Sequence, residues 1–558
     1  MNFEDSIQFT VSFAAKVPAA NSLITIILMK FIPIDYDQVE EISKRDLAFI
    51  QHHKDLTDFV PRWASIEAFA DAIRAKKGQP IDRHLLCESL SAQYQNINTT
   101  SAVKENIEAL GSEDTFTVIT AHQPSLFTGP LYYIYKICSV INLTKQLNDR
   151  YPKYRFVPVF ISGGEDHDFD EINHLQLYGK DIVWQKKSHG PVGRLSTEGL
   201  TDLIAEIKDI LGTNEHSAKL ISMLSASVNQ AKQYSDVNFY LINEIFQDFG
   251  LIYAQMDNAA YKRQLIPIIK DELQQQSSYR IVNETLKSMD ALGLKNQASP
   301  REINLFYLKD EIRERIIQEG DRYIINNTDL NFSTSELMAL VDASPELFSP
   351  NVLLRPLYQE IIFPNLAYIG GGGEIAYWTE RAAQFAHYEL PFPLLIRRNS
   401  ALQISQAHVK QIGKTEYSYT DFIKPDQSLI NDFLDVHVSE DIDLTEYRTQ
   451  VQTIFNEVAD KAAQIQKPLS KYVLAEAAKQ VKSLEHIEAK LKKALKAKNE
   501  TDINRLTSIR SKLFPNGGLQ ERYENFIMYY AQHGQSWITQ LVNHLDPLNE
   551  KFLLVVDE

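Results

Sequence analysis

TFTVITAHQPSLFTGPLYYIYKICSVINLTKQL runs from Thr115 to Leu147, and YRFVPVFISGGEDHDFDEINH follows from Tyr154 to His174. TFTVIT is short, apolar and β-branched, the composition of a strand. LYYIYKICSVINLTKQL has the length and character of a helix. YRFVPVFIS reads as a second buried strand. Strand, loop, helix and strand in that order predict parallel pairing, because parallel neighbours need a crossover segment between them. Ligands of such sheets bind beyond the carboxyl ends of the strands. The loops His122–Pro130 and Gly163–His174 both leave strands at that edge, so chemistry is expected there.

The rest of the chain sets bounds. With 558 residues it predicts two to four domains, and 44% apolar and 10% aromatic residues suffice for a large core. The net charge of -16 argues against general nucleic-acid binding, which needs a basic face, but leaves room for a local basic pocket. Cys87 and Cys138 form no disulfide framework and no CxxC zinc pair, and suit a reducing cytoplasm. SLITIIL (Ser22 to Leu28) is too short to span a membrane, and no basic segment precedes it as in a signal peptide. Residues 1–28 read as an N-terminal extension or a short extra element, with a domain starting at Met29.

Residues 29–400 carry the α/β pattern, with a mixed insertion at about 200–340 that contains the β-like run LIYAQMD (Leu251 to Asp257). LAYIGGGGE reads as strand, glycine turn and helix, and LPFPLLIRR (Leu390 to Arg398) as one more strand. The remainder, 401–558, is helical. Leu444, Tyr447, Val451, Ile454, Val458, Ala462 and Ile465 recur at spacings of three and four. After Pro468 the pattern resumes from Val473 to Leu495, predicting an antiparallel hairpin or coiled coil. The lysine run within it reads as a solvated face.

Three motifs carry candidate chemistry. In GGEDHDFDEINH, Asp166 and Asp168 offer oxygen ligands for Mg²⁺, and His167 and His174 stand beside them as candidate acid–base or phosphate-contacting groups. The alternative is a helix start, where acidic residues cap free N–H groups. In AHQPSLFTGP, His122, Gln123, Ser125, Thr128 and Gly129 offer donors to an anion ahead of a helix, without the spacing of a Walker A loop. Gly371, Gly372 and Gly373 permit close backbone approach to a ligand, Glu374 opens the following helix, and Arg355 can meet an anion or make a structural ion pair.

Together, HQPSLFTGPLYYIYK, PVFISGGEDHDFDEINH, LRPLYQEIIFPNLAYIGGGGEIAYW and KLFPNGGLQER resemble the BshC family of bacillithiol-biosynthesis cysteine-adding enzymes, in order along nearly the whole chain. Where that family usually has Gly-Gln-Gln, this chain has Ala121-His122-Gln123. The resemblance implies a Rossmann-like parallel-sheet core with inserted connecting segments and a C-terminal α-helical coiled-coil arm, often dimeric. It implies a cytoplasmic ligase that joins cysteine to the amine of glucosaminyl malate, with no nucleic-acid or membrane partner. Amide formation from a free carboxylate is uphill in water, so ATP activation of cysteine is expected, with Mg²⁺ as a candidate companion. On this reading His122–Gly129 cradles phosphates, Asp166, His167 and Asp168 hold the metal or the cysteine amine, and Arg355 meets a carboxylate. Two alternatives are a non-catalytic nucleotide- or sugar-binding scaffold and a sugar-processing transferase.

Overall fold

The computed structural model describes residues 29–309, 311–437 and 443–557; the expected extension, 1–28, lies outside the described residues. In chain order, the elements that place the site are β1 (Met29–Ile34), β2 (Thr115–His122), α1 (Tyr132–Arg150), β3 (Arg155–Ser162), β4 (Ile252–Gln255), β5 (Leu305–Lys309) and β6 (Ile312–Glu319). They continue with α2 (Arg355–Ile362), β7 (Asn365–Gly370), α3 (Gly372–Thr379), β8 (Leu394–Arg397) and β9 (Ala401–Ile404). The last are α4 (Thr445–Ile465), α5 (Lys467–Lys498), α6 (Glu500–Leu513) and β10 (Phe552–Asp557).

The central sheet is parallel throughout, in the order β8-β7-β2-β3-β4. Its middle strands are buried along nearly their whole length, which explains their unbroken apolar runs. Even Thr117 and Thr120 are enclosed, and Thr120 Oγ1 donates to the Ile369 carbonyl across the β2–β7 pair (2.7 Å). After β2 the chain adds β3 and β4 on one side, then crosses to place β7 and β8 on the other. The loops leaving β2 and β7 therefore diverge, and a crevice opens between them at the carboxyl edge.

The insertion contains more than the edge strand β4. It folds a five-stranded antiparallel sheet in which β5 and β6 sit between Arg322–Ile325 and Phe348–Pro350, with Asn331–Ser333 outermost. This sheet stands over the carboxyl edge and was not legible as a separate unit in the sequence. A third sheet ties the chain's two ends together: β10 pairs antiparallel with β1 and parallel with β9.

α4 and α5 form the expected antiparallel hairpin, and Pro468 sits in the first turn of α5, where its missing N–H costs nothing. Its 32 residues make α5 about 48 Å long at the usual rise per residue. α6 returns the chain to the core, and the segment Phe514–Asn525 runs from its end to the mouth of the crevice.

Candidate active site

A cavity of about 420 Å³ fills the crevice, lined from β2, β3, α1, α2, α3, the inserted sheet and the C-terminal segment. Its two sides carry opposite charge.

Glu165, Asp166 and Glu171 form the acidic side. Asp166 accepts from the Gln123 amide (2.6 Å) and from the His167 backbone N–H (2.7 Å), with Arg313 Nη1 at 3.4 Å. Burial opposes its charge, but the hydrogen bonds from His167 and Gln123 and the Arg313 cation outweigh it. The carboxyl is held well below the usual carboxylate range. Arg313 comes from β6, lies over the Phe306 ring (3.9 Å) and reaches His167 Nδ1 (2.6 Å), so the inserted sheet closes over the acidic loop. Glu165 is buried, accepts from Ser349 Oγ (3.0 Å) and pairs with the fully buried Lys262; burial pushes its carboxyl up. Gly193 packs directly against the acidic loop at Gly164. Gly193 N–H donates to the Gly164 carbonyl (2.7 Å), and a Cβ on Gly193 would lie 2.7 Å from that oxygen.

Lys136, Arg355, Arg398 and Arg522 form the basic side. Lys136 is almost fully buried at the cavity floor, donates to the Ala121 carbonyl (2.9 Å) and pairs with Glu374 (2.5 Å). Glu374 also accepts from the Gly371 N–H (2.9 Å), capping α3, and from the Tyr368 hydroxyl (2.8 Å). Burial opposes ionisation of Glu374, but Lys136 and these donors hold its pKa down at about 2. Burial depresses Lys136 to about 8 although Glu374 pulls the other way. Arg355 donates to the Tyr377 hydroxyl (2.9 Å). Arg398 makes a two-pronged pair with Glu521 (3.0 and 2.7 Å), brought by the C-terminal segment. Burial, and then Lys136, depress His122 to about 4, so its ring is neutral at ordinary pH, with Nε2 3.2 Å from the Tyr132 hydroxyl.

The structure sorts the residues expected from sequence. His122, Gln123, Asp166, Arg355, Gly371, Gly373 and Glu374 line the cavity. Ser125, Thr128 and Gly129 lie behind its wall. Phe127, Thr128 and Gly129 all have positive φ (41°, 73° and 60°), and Asn525 Nδ2 clamps the turn by donating to the Phe127 and Gly129 carbonyls (3.1 and 2.5 Å). Gly372 faces away: a Cβ there would lie 2.5 Å from the Asp46 carboxylate, which pairs with Arg397. Asp168 is the exposed N-cap of Phe169–Ile172, accepting from Glu171 N–H (3.3 Å). His174 is exposed and bonded to Asn173, and His167 reaches the cavity only through Arg313.

These placements do not fit a divalent cation on Asp166 and Asp168. Arg313 and two N–H donors occupy Asp166, Asp168 lies outside the cavity, and no group of three potential ligands assembles among the described residues. Lys136, Glu165, Arg313, Arg398 and Arg522 were missed by sequence reading. Lys136 lies one turn after Tyr132 on α1, a spacing that puts both on one face; the others come from distant segments that only folding brings together.

Comparison with known proteins fits this architecture. Residues 29–399 match the family described as bacillithiol biosynthesis BshC, N-terminal Rossmann-like domain, and residues 401–556 match the BshC C-terminal coiled-coil domain. A Flavobacterium johnsoniae protein named "Putative cysteine ligase BshC" is 40% identical over 94% of this chain and 99% of its own length. Proteins of the same name from Flavobacterium psychrophilum and Christiangramia forsetii are 39% and 37% identical, each over 94% of this chain and 98% of their own length.

Proposed function

From the premise that this chain belongs to the BshC family, we propose that it joins the carboxyl group of cysteine to the amine of glucosaminyl malate, with ATP activating the carboxylate. The chain is a ligase of bacillithiol biosynthesis, as its relatives are named. The observation that carries the finer reading is the charge division of the cavity. Cysteine enters as an ammonium-bearing zwitterion and suits the acidic side at Asp166 and Glu171. Glucosaminyl malate carries carboxylates, which suit the guanidinium groups of Arg355 and Arg522. Arg398 Nε is buried with no acceptor among the described residues, a donor suited to a carboxylate or phosphate oxygen.

ATP supplies the leaving group that makes amide formation downhill. The protein's own contribution is placement: it holds two polar substrates against opposite sides of one enclosed space, so that amine and carboxyl meet. Mg²⁺ would accompany the nucleotide rather than rest on the Asp166–Asp168 pair. Incubating the purified protein with cysteine, glucosaminyl malate, ATP and Mg²⁺ and following the product by mass spectrometry tests the reading. Bacillithiol formed only with nucleotide supports it; no product with any nucleoside triphosphate overturns it.

We also propose that the arm makes the chain a homodimer. Ile454, Tyr472 and Ile465 are 58%, 65% and 82% exposed along the hairpin, the apolar seam that a second copy would cover.

A further inference from the structure

An ammonium group has three hydrogens to donate. Lys136 uses one on the Ala121 carbonyl and one on Glu374. The third has no acceptor among the described residues, and the side chain lines the cavity. It is enclosed, so water satisfies it only through the cavity itself. Beside it, the Arg398 Nε–H is likewise buried without an acceptor, 3.6 Å from where a Cβ on Gly371 would sit. The missing Cβ leaves space beside the Arg398 donor, at a point also 3.6 Å from the Glu374 oxygen that pairs with Lys136. Glu374 fixes the lysine from below, and Gly371 N–H and Tyr368 fix Glu374 in turn.

Resting on the ligase reading above, we propose that Lys136 is a catalytic residue. Its free N–H points at the oxygen on which negative charge develops as the amine attacks the activated cysteine carboxyl. In that step the sugar nitrogen forms a bond to the carboxyl carbon, the carbon–oxygen bond to the phosphate breaks, and its electron pair leaves on the phosphate oxygen. The surplus proton of the amine passes to water, and Lys136 keeps its own. A fixed, buried cation stabilises such charge without reorganising at the moment of reaction. The charged and titratable groups around Lys136 are Glu374 on α3, Arg398 after β8, Arg355 on α2, and His122 and Tyr132. Glu374 and Arg355 stay charged, and His122 stays neutral, from pH 6 to 9. Lys136 is then the group of this set that titrates within the window.

The test is steady-state turnover of the full chain with cysteine, glucosaminyl malate and ATP. Lys136→Met should lower kcat by ~10²- to 10³-fold, the scale of losing one such donor, while KM for each substrate changes less than about threefold. Lys136→Met/Glu374→Gln removes the whole buried pair and its folding penalty. It should stay as slow as the single variant, with a melting temperature near wild type. Lys136→Arg should retain at least about a tenth of wild-type turnover and lack the fall in kcat expected of wild type above about pH 8. Recovery of the double variant to within tenfold of wild type, or an unchanged alkaline limb in Lys136→Arg, overturns the inference alone. A wild-type chain that forms no product overturns the ligase reading and this inference with it.

Discussion

The parallel-sheet core and the helical arm treat their side chains in opposite ways. In the core even charges are enclosed: Arg398 and Glu521 are 1% and 0% exposed and bind each other by two hydrogen bonds. In the arm the apolar seam itself stays in contact with water, and ion pairs such as Lys479–Glu476 lie on the surface. The cause is layer count. The sheet is covered on both faces, whereas a two-helix hairpin has no third element to cover its seam. The core's charges therefore owe their strength to enclosure, and the arm's apolar residues await a partner.

The largest test of that difference is Arg398→Met, which leaves Glu521 buried without its cation. The expected loss is ~3–5 kcal/mol by denaturant unfolding, the scale of breaking a buried pair. Lys479→Ala in the arm should change nothing measurable. Equal losses at the two positions would break the comparison.

Within the core, the acidic loop repeats the contrast over three residues. Asp166→Asn should lower product formation by ~10²-fold, because it removes the half-buried charge that faces the cavity. Asp168→Asn should stay within about twofold of wild type, because asparagine caps a helix about as well as aspartate. A large effect at Asp168 would return a metal or substrate role to the exposed end of the loop.

Glu524 lies in the segment that joins arm to cavity, and burial lifts its carboxyl to about 7 although the Tyr529 hydroxyl donates to it. The folded state holds its proton between the ordinary carboxylate pKa and about 7, while the unfolded state has released it. Stability is therefore greatest below that window and falls as pH rises through it. Glu524→Gln mimics the protonated form. It should melt with wild type at pH 5 and be more stable by on the order of 2 kcal/mol at pH 8. A constant offset across that range would show that packing, not ionisation, sets the difference.

The smallest effect on the core should come from Ile454→Glu/Tyr472→Glu in the arm. The mass by light scattering should halve while the core's melting transition stays within about one degree. A monomeric wild type would remove the proposed role of the seam.

The core's strand–loop–helix–strand order, the carboxyl-edge position of its loops and the helical hairpin after residue 444 were all legible in the sequence. They rest on local signals: apolar period, turn residues and the proline between two helices. The sequence also drew attention to His122, Gln123, Asp166, Arg355 and the Gly371–Glu374 turn, because their motifs are contiguous. It could not separate Asp166 from Asp168. A carboxylate that faces a cavity and one that caps a short helix have the same composition and differ only in what lies opposite. Nor could it find Lys136, Glu165, Arg313, Arg398 or Arg522 as neighbours. The inserted antiparallel sheet brings Arg313 147 positions along the chain to Asp166, and the C-terminal segment brings Glu521 123 positions to Arg398. Such contacts arise from packing between distant elements. Burial then sets their chemistry: it depresses Lys136, neutralises His122 and leaves Arg398 a donor to spare. The residue letters name the ionisable groups, but only the enclosing tertiary structure sets how each one is charged and what it can meet.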